Sequence, residues 1–180
     1  MLFKNEQIDI SQIPSLKALE FQPLERNYLK VRLINHIILF LFFAIAACLF
    51  VLIILKKNDD VDLLTLILIV TAIWGTLFIS SIVYMSFAFK FKAFAIREHD
   101  IVYRSGWWWR KITTVPFNRI QHCELSQGPV EKYFSLAKLN VYTAGGQSSD
   151  LKLPGLLFEK ANNLKEFLVN KTHKPGNAEL

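Results

Sequence analysis

Two stretches decide the fold of this chain: LINHIILFLFFAIAACLFVLIIL at residues 33–55 and LLTLILIVTAIWGTLFISSIVYMSFAF at residues 63–89. Neither contains Asp, Glu, Lys or Arg. About 20 apolar residues are enough for a helix to cross the hydrocarbon core of a bilayer, which is roughly 30 Å thick. The sequence therefore predicts two transmembrane helices. The polar residues between them, KKNDDVD at 56–62, are too few for a domain, so the two helices form an antiparallel hairpin.

The orientation of this hairpin is predicted from the Lys and Arg residues beside its ends. Six lie on the side of the two termini and two in the 56–62 loop: Arg26, Lys30, Arg32, Lys90, Lys92 and Arg97 against Lys56 and Lys57. Because positive residues accumulate on the cytoplasmic side, we expect both termini in the cytoplasm, an extracytoplasmic loop and a location in the cytoplasmic membrane. Asn35 and His36 begin the first span, where we expect headgroup depth and no need for a partner.

The segments outside the hairpin carry the charge. The formal net charge is +6, and the excess lies in residues 90–171, where a basic surface either attracts anionic headgroups or is simply solvated. Residues 1–32 have interrupted helical spacing and predict an arm that lies on the membrane interface or packs on the following domain. Cys48 and Cys123 lie in different segments, which predicts no disulfide. The four His residues lack metal-ligand spacing, so neither metal nor cofactor is expected.

Residues 90–171 consist of short alternating segments separated by turn residues, which is typical of strands. Six or seven strands are predicted, one of them through WWWRKITTVPF at 107–117, with a bulge near Gln121 and His122 and a helical turn from Pro129. Apolar residues then recur at helical spacing from 157 to 168. The order predicts an α+β membrane protein: a two-helix transmembrane hairpin, a PH-like antiparallel β-sandwich or barrel capped by a C-terminal helix, and a flexible tail at 172–180.

Five short motifs in this domain carry a resemblance: SG at 105–106, VPFNRIQ at 115–121, LSQGP at 125–129, SLAKLNVYTAGG at 135–146 and LPGL at 153–156. In this order and spacing they resemble the bacterial PH-like membrane proteins of the bPH2 family (domain of unknown function 304, YdbS-like). The resemblance implies a PH-like fold on a membrane anchor and, as a partner, a larger relative with several such domains. Ser135 stands where the family pattern leads us to expect Gly, which predicts a slightly different turn.

Two groups of side chains are candidate contact sites. Trp107, Trp108 and Trp109 follow a turn, and they either anchor the domain in the membrane interface, touch a partner, or pack in the core with one ring exposed. Four cations cluster around the same hairpin in sequence and are candidates for lipid headgroup contact: Arg104, Arg110, Lys111 and Arg119. The segment RIQHCELSQGP has polar side chains of the types that hydrolases use, but no nucleophile, base and orienting group are spaced to converge.

These features predict a non-enzymatic membrane-anchored module that acts in protein–protein assembly, with contact to anionic lipid headgroups as a secondary role. The expected partners are membrane lipids together with a larger multi-domain relative, further copies of the same chain, or both; nucleic acid is not expected. The alternative is a subunit of a transport or pore complex. Against that alternative stands the absence of ionisable residues from the middle of either span.

The topology is tested with single cysteines. A cysteine at Asn58 should react with an impermeant thiol reagent in intact cells, whereas one at Ser149 should react only after the cells are permeabilised, because the two positions flank the membrane on opposite sides. The reverse labelling pattern would overturn the orientation derived from the Lys and Arg count.

Overall fold

The computed structural model describes residues 19–57, 62–144 and 150–173. Residues 1–18 of the arm, most of the predicted loop, the glycine pair at 145–146 and the tail from residue 174 lie outside these ranges. Two long helices come first, α1 (Asn27–Lys57) and α2 (Leu63–Lys90). Both are long and apolar enough to cross a membrane. Large apolar side chains are exposed all along them, for example Phe42 and Ile79. Soluble proteins rarely expose an apolar surface of this extent, so these helices are suited to a lipid environment.

The starting points of the two helices can be explained locally. At the start of α2 the Asp62 carboxylate accepts hydrogen bonds from the Leu64 amide, at 3.2 Å, and from the Thr65 hydroxyl, as expected of an N-cap. Helix α1 begins at Asn27, six residues before the predicted span. Its 31 residues measure about 46 Å, more than the roughly 30 Å of a bilayer core, so its first turns extend beyond the apolar stretch.

The two helices are joined by polar and aromatic contacts near the domain end of the hairpin. The Ser81 hydroxyl donates to the Phe78 carbonyl at 2.6 Å, and the His36 ring nitrogen lies 2.6 Å from the same hydroxyl oxygen. The Phe40 ring lies 5.0 Å from the Phe78 ring and 5.2 Å from the Trp74 ring, between centroids. The expectation that His36 needs no partner is therefore wrong, because its imidazole binds the facing helix.

The domain that follows has two antiparallel sheets. The first has the order β1–β2–β3–β4 and the second β5–β6–β7. A 3₁₀ turn at Phe117–Arg119 links the sheets, and helix α3 (Pro129–Tyr133) separates β5 from β6. The strands are β1 (Gln22–Pro23), β2 (Ala93–Ile96), β3 (Asp100–Ser105), β4 (Lys111–Pro116), β5 (Ile120–Ser126), β6 (Leu136–Thr143) and β7 (Leu151–Leu157), and helix α4 (Phe158–His173) closes the domain.

One buried cluster holds both sheets and the last helix together. Its members alternate along the strands, as in a half-buried sheet, and α4 contributes Ala161, Leu164 and Leu168. The predicted bulge is confirmed, because the β5–β6 register shifts between Ile120 and His122. The predicted sandwich with a C-terminal helix is confirmed as well.

The end of the arm and the start of α1 belong to this core. Leu24, Tyr28 and Val31 are buried in the cluster, and the Glu25 amide donates to the Gly155 carbonyl at 3.1 Å. Gly155 has a φ of +67°, and a Cβ there would lie 2.4 Å from Cγ of Tyr28. The glycine of the LPGL motif therefore leaves the space that the Tyr28 ring occupies. The described part of the arm thus packs on the domain.

The turn before β6 contains Ser135, which stands where the family pattern leads us to expect Gly. Ser135 has a φ of 54° and is the one non-glycine residue with positive φ in the described ranges. Its carbonyl accepts a hydrogen bond from the Phe158 amide at 2.9 Å. Ser135 therefore adopts the left-handed backbone that glycine favours.

Ser135→Gly should stabilise the protein by about 1 kcal/mol, because a left-handed backbone costs a residue with a Cβ roughly 1–2 kcal/mol. Thermal unfolding in detergent, followed by near-ultraviolet circular dichroism, measures the gain. Ser135→Ala is the control and should give no gain, since alanine pays the same conformational cost. A loss of stability in Ser135→Gly would contradict this account of the turn.

Candidate membrane-contact site

The three tryptophans lie in a loop between β3 and β4, which we call the Trp loop (residues 106–110). The prediction of a strand through them is wrong, because β4 begins only at Lys111. The loop depends on Gly106, whose φ is +91° and whose Cβ, if present, would lie 1.8 Å from the Trp109 carbonyl oxygen. Only glycine fits this position, and the turn that it makes ends β3 before the aromatic run begins.

None of the three rings packs in the core. Trp107 is 41% exposed, Trp108 77% and Trp109 80%. The core-packing alternative is therefore wrong for all three rings. Because tryptophan favours the boundary between hydrocarbon and water, these exposed rings need either a lipid surface or a partner to cover them.

The first ring shows where the Trp loop lies relative to the hairpin. The centroid of the Trp107 ring is 6.0 Å from that of Phe87 and 6.4 Å from that of Tyr84, both on α2. Tyr84 precedes Lys90 by six residues, about 9 Å along the helix axis. The Lys90 ammonium in turn lies 5.5 Å from the centroid of the Phe87 ring. The Trp loop therefore flanks the last two turns of the second apolar helix, where aromatic and basic side chains meet.

The four candidate cations do not form one cluster. Arg110 is the last residue of the Trp loop, Lys111 follows it directly, and both are exposed. The Arg104 guanidinium stacks on the ring of Phe21, 4.5 Å from its centroid, so the arm covers it. Arg119 lies beyond the opposite end of β4, whose six residues span about 17 Å. The predicted grouping is therefore wrong for Arg119, because the β4 strand carries the chain away from the loop. Arg104 does lie at the loop end of the hairpin, since it pairs with Ile112, but the ring of Phe21 covers it.

A polar groove opens beside the Trp loop between the two sheets. Its volume is about 320 Å³ and its lining includes Lys111 from β4 and Lys152 from β7. Asp150 at the rim is already engaged, since it accepts a hydrogen bond from the Thr143 amide at 3.0 Å. Burial raises the pKa of Tyr103 to about 12, and its charged neighbour is Arg32 and not a groove lysine. The two lysine ammonium groups of the groove suit an anionic group such as a phosphate.

Lys152 is the member of this groove that sequence reasoning missed. The signal in the chain is its place between Leu151 and Leu153, which are both buried and which turn Lys152 to the other face of β7. That alternation shows exposure only. That Lys152 and Lys111 line one groove depends on how the two sheets pack against each other.

The polar residues of RIQHCELSQGP are occupied in cross-strand contacts. The His122 ring stacks on Tyr142 with centroids 4.3 Å apart, and the Tyr142 hydroxyl donates to the Glu124 carboxylate at 2.8 Å. Burial raises the pKa of the Cys123 thiol to about 11, which leaves little thiolate at neutral pH. Within residues 19–57, 62–144 and 150–173 no three His, Cys, Asp or Glu side chains gather as metal ligands.

Comparison with known proteins gives two matches. Residues 37–172, about three quarters of the chain, match the profile of the family described as "Bacterial PH domain". The "UPF0699 transmembrane protein YdbS" of Bacillus subtilis (strain 168) is 34% identical over 73 residues, which are 41% of this chain and 44% of that relative. The match thus spans less than half of the relative's length. No solved structure matches this chain.

If the Trp loop lies in the headgroup region, lipids with quenchers at shallow depth should quench its fluorescence more strongly than lipids with quenchers near the bilayer centre. Trp74, which is on α2, is first replaced by Phe to remove its signal. The contribution of the exposed rings is isolated by replacing Trp108 and Trp109 together by Ser, which should remove most of the shallow quenching. Equal quenching at both depths, or none, would contradict the headgroup location and favour contact of the rings with a protein partner.

Proposed function

This chain belongs to the bacterial PH domain family, and we propose on that basis that it is a non-enzymatic, membrane-anchored module for protein–protein assembly. Its hairpin crosses the cytoplasmic membrane with both termini in the cytoplasm. Its partners are a larger family relative with several such domains, further copies of itself, or both. Contact with anionic lipid headgroups is a secondary role of the domain.

The observation that supports this proposal best is the rigid junction between hairpin and domain. Tyr28, in the first turn of α1, is buried in the domain core against Gly155. At the end of α2 the chain enters β2 after Phe91 and Lys92 alone. A domain fixed to a hairpin at two points keeps one orientation toward the membrane and presents the same surfaces at all times, as a scaffold requires.

The hairpin itself offers a surface for another helix. Beyond the aromatic contacts of Phe40, the helices leave an apolar groove of about 540 Å³. Small side chains from both helices line its walls: Ala44, Ala47, Cys48, Thr71 and Gly75. Because small residues let helix backbones approach closely in a membrane, this groove suits a transmembrane helix of a partner.

Headgroup contact is favoured by the Trp loop. Its exposed rings flank the last turns of α2, and Arg110, Lys111 and the polar groove lie directly beside it. Tryptophan in the headgroup region together with nearby cations is the usual composition of a membrane-facing surface. This contact anchors the domain on the membrane surface and involves no catalysis.

Enzymatic and pore functions have less support. Within RIQHCELSQGP, Glu124 accepts a hydrogen bond from the Tyr142 hydroxyl and the His122 ring stacks on Tyr142, and no nucleophile, base and orienting group are spaced to converge. The two spans contain no Asp, Glu, Lys or Arg, and His36 binds Ser81 across the hairpin. Helices without ionisable groups gain little by lining a water-filled path.

Gly75→Leu should weaken co-purification of the membrane partner, or self-association in mild detergent, because the larger side chain blocks helix approach. A Cβ at Gly75 meets nothing within 4 Å, so the new side chain starts in open space in the monomer. The domain should stay folded, because its core does not include Gly75. Thr76→Leu is the matched control: it adds an apolar side chain to the same turn but outside the groove, and should leave association unchanged. Light scattering and mass spectrometry of pull-downs measure the effect.

Liposomes separate the scaffold from the pore. The purified protein, alone or with its partner, should not increase ion leakage. Conductance that depends on Asn35 or His36 would overturn the scaffold and favour the pore. Unchanged association in Gly75→Leu would place the contact in the β domain instead of the groove.

A further inference from the structure

Two cations converge where both helices meet the domain. Lys92 follows the last turn of α2, and its ammonium lies 5.7 Å from the centroid of the Tyr28 ring. Arg32 lies four residues after Tyr28 on α1, hence on the same helix face. Both cations are half-buried. The rings of Tyr28 and Phe89, with centroids 6.3 Å apart, bring the two helices together at this point. We call Arg32 and Lys92 the neck cations.

The neck cations repel each other. Burial, and to a smaller extent the nearby Arg32 guanidinium, lowers the pKa of the Lys92 ammonium to about 8. In the described ranges no Asp or Glu oxygen lies within 4 Å of either cation. Glu131 is close enough to act on Tyr28, but its carboxylate already accepts the Gly128 amide at 2.7 Å. Two half-buried like charges are unfavourable unless an anion joins them.

The position of the neck cations indicates which anion is available. Arg32 immediately precedes the apolar stretch 33–55, and Lys92 follows shortly after the stretch 63–89. In a hairpin that spans the bilayer, both therefore lie at the level of the lipid phosphates. A guanidinium presents paired donors to phosphate oxygens, and an ammonium adds a second positive charge. The apolar surfaces of α1 and α2 directly below suit the acyl chains.

From this arrangement we infer that Arg32 and Lys92 together bind the phosphate of one phospholipid at the junction of hairpin and domain. The site rests on the proposed spanning of the membrane by both helices. It is independent of partner assembly and of the Trp loop, which contacts α2 through Tyr84 and Phe87. The bound lipid supplies the negative charge that this neck lacks, and so fixes the angle between hairpin and domain.

The test uses the full chain purified in a non-ionic maltoside and titrated with phosphatidylglycerol, with the melting temperature as readout. Lys92→Met keeps an apolar stem over Tyr28 but removes the buried charge. Its melting temperature without lipid should equal or exceed that of the unmodified chain. Its apparent affinity for phosphatidylglycerol should fall at least about fivefold, the factor expected for one lost cation near the phosphate. Arg32→Gln should cause a similar loss.

Lys90→Met is the matched control, since Lys90 lies two residues away, is exposed and contacts only the Phe87 ring among described aromatic residues. An equal loss in Lys90→Met would mean diffuse attraction and overturn the site. Stabilisation by soluble glycerol phosphate equal to that by the lipid would make free phosphate the ligand and overturn the lipid. If Lys92→Met and Arg32→Gln both bind lipid normally, the proposed site is wrong. The assembly proposal is tested separately by Gly75→Leu.

Discussion

The packing of Tyr28 against Gly155 is the contact on which the position of every other surface depends. A buried aromatic side chain removes roughly 150–250 Å² from water, which corresponds to about 4–6 kcal/mol at 25 cal/mol per Å². This gross term is an upper estimate, but a loss of even one or two kcal/mol is a large fraction of the net stability of a small domain, about 5–15 kcal/mol. The start of α1 is therefore part of the domain core and not a tether to it. Gly155 makes this possible because any Cβ at that position would overlap the ring.

Once this contact is fixed, the membrane-facing surfaces follow. The chain leaves α2 and enters β2 within two residues, so the domain cannot rotate about either helix alone. The β3–β4 connection then lies beside the last turns of α2, where Trp107 contacts Phe87. The neck cations lie at the point where both helices meet the domain. Two separate groups of positive and aromatic side chains thus lie where the hairpin meets the domain.

Features set by local periodicity could be predicted from the sequence, whereas features set by packing could not. The two spans, the bulge at β5 and the C-terminal helix could be predicted because each depends on the pattern of residues that are neighbours in the chain. The burial of Tyr28 could not be predicted, because its partner Gly155 is far away in the chain. Lys152 and Lys111 line the same groove for the same kind of reason. The Trp loop shows the opposite case, in which one backbone requirement at Gly106 overrides the strand preference of three aromatic residues.

The shared motifs gain a physical meaning from these contacts. Gly106 permits the turn into the Trp loop, Ser135 takes the left-handed backbone before β6, and Gln127 donates to the Leu136 carbonyl at 2.7 Å. Gly155 receives Tyr28. Each of these residues either permits a backbone conformation, forms a turn hydrogen bond or makes room for a ring of the hairpin helix, and none of them presents a reactive group. The motif is therefore a signature of the fold and of its attachment to the hairpin. The surfaces that we propose to make contacts all lie outside the motif: the exposed rings, the polar groove, the apolar groove of the hairpin and the neck cations.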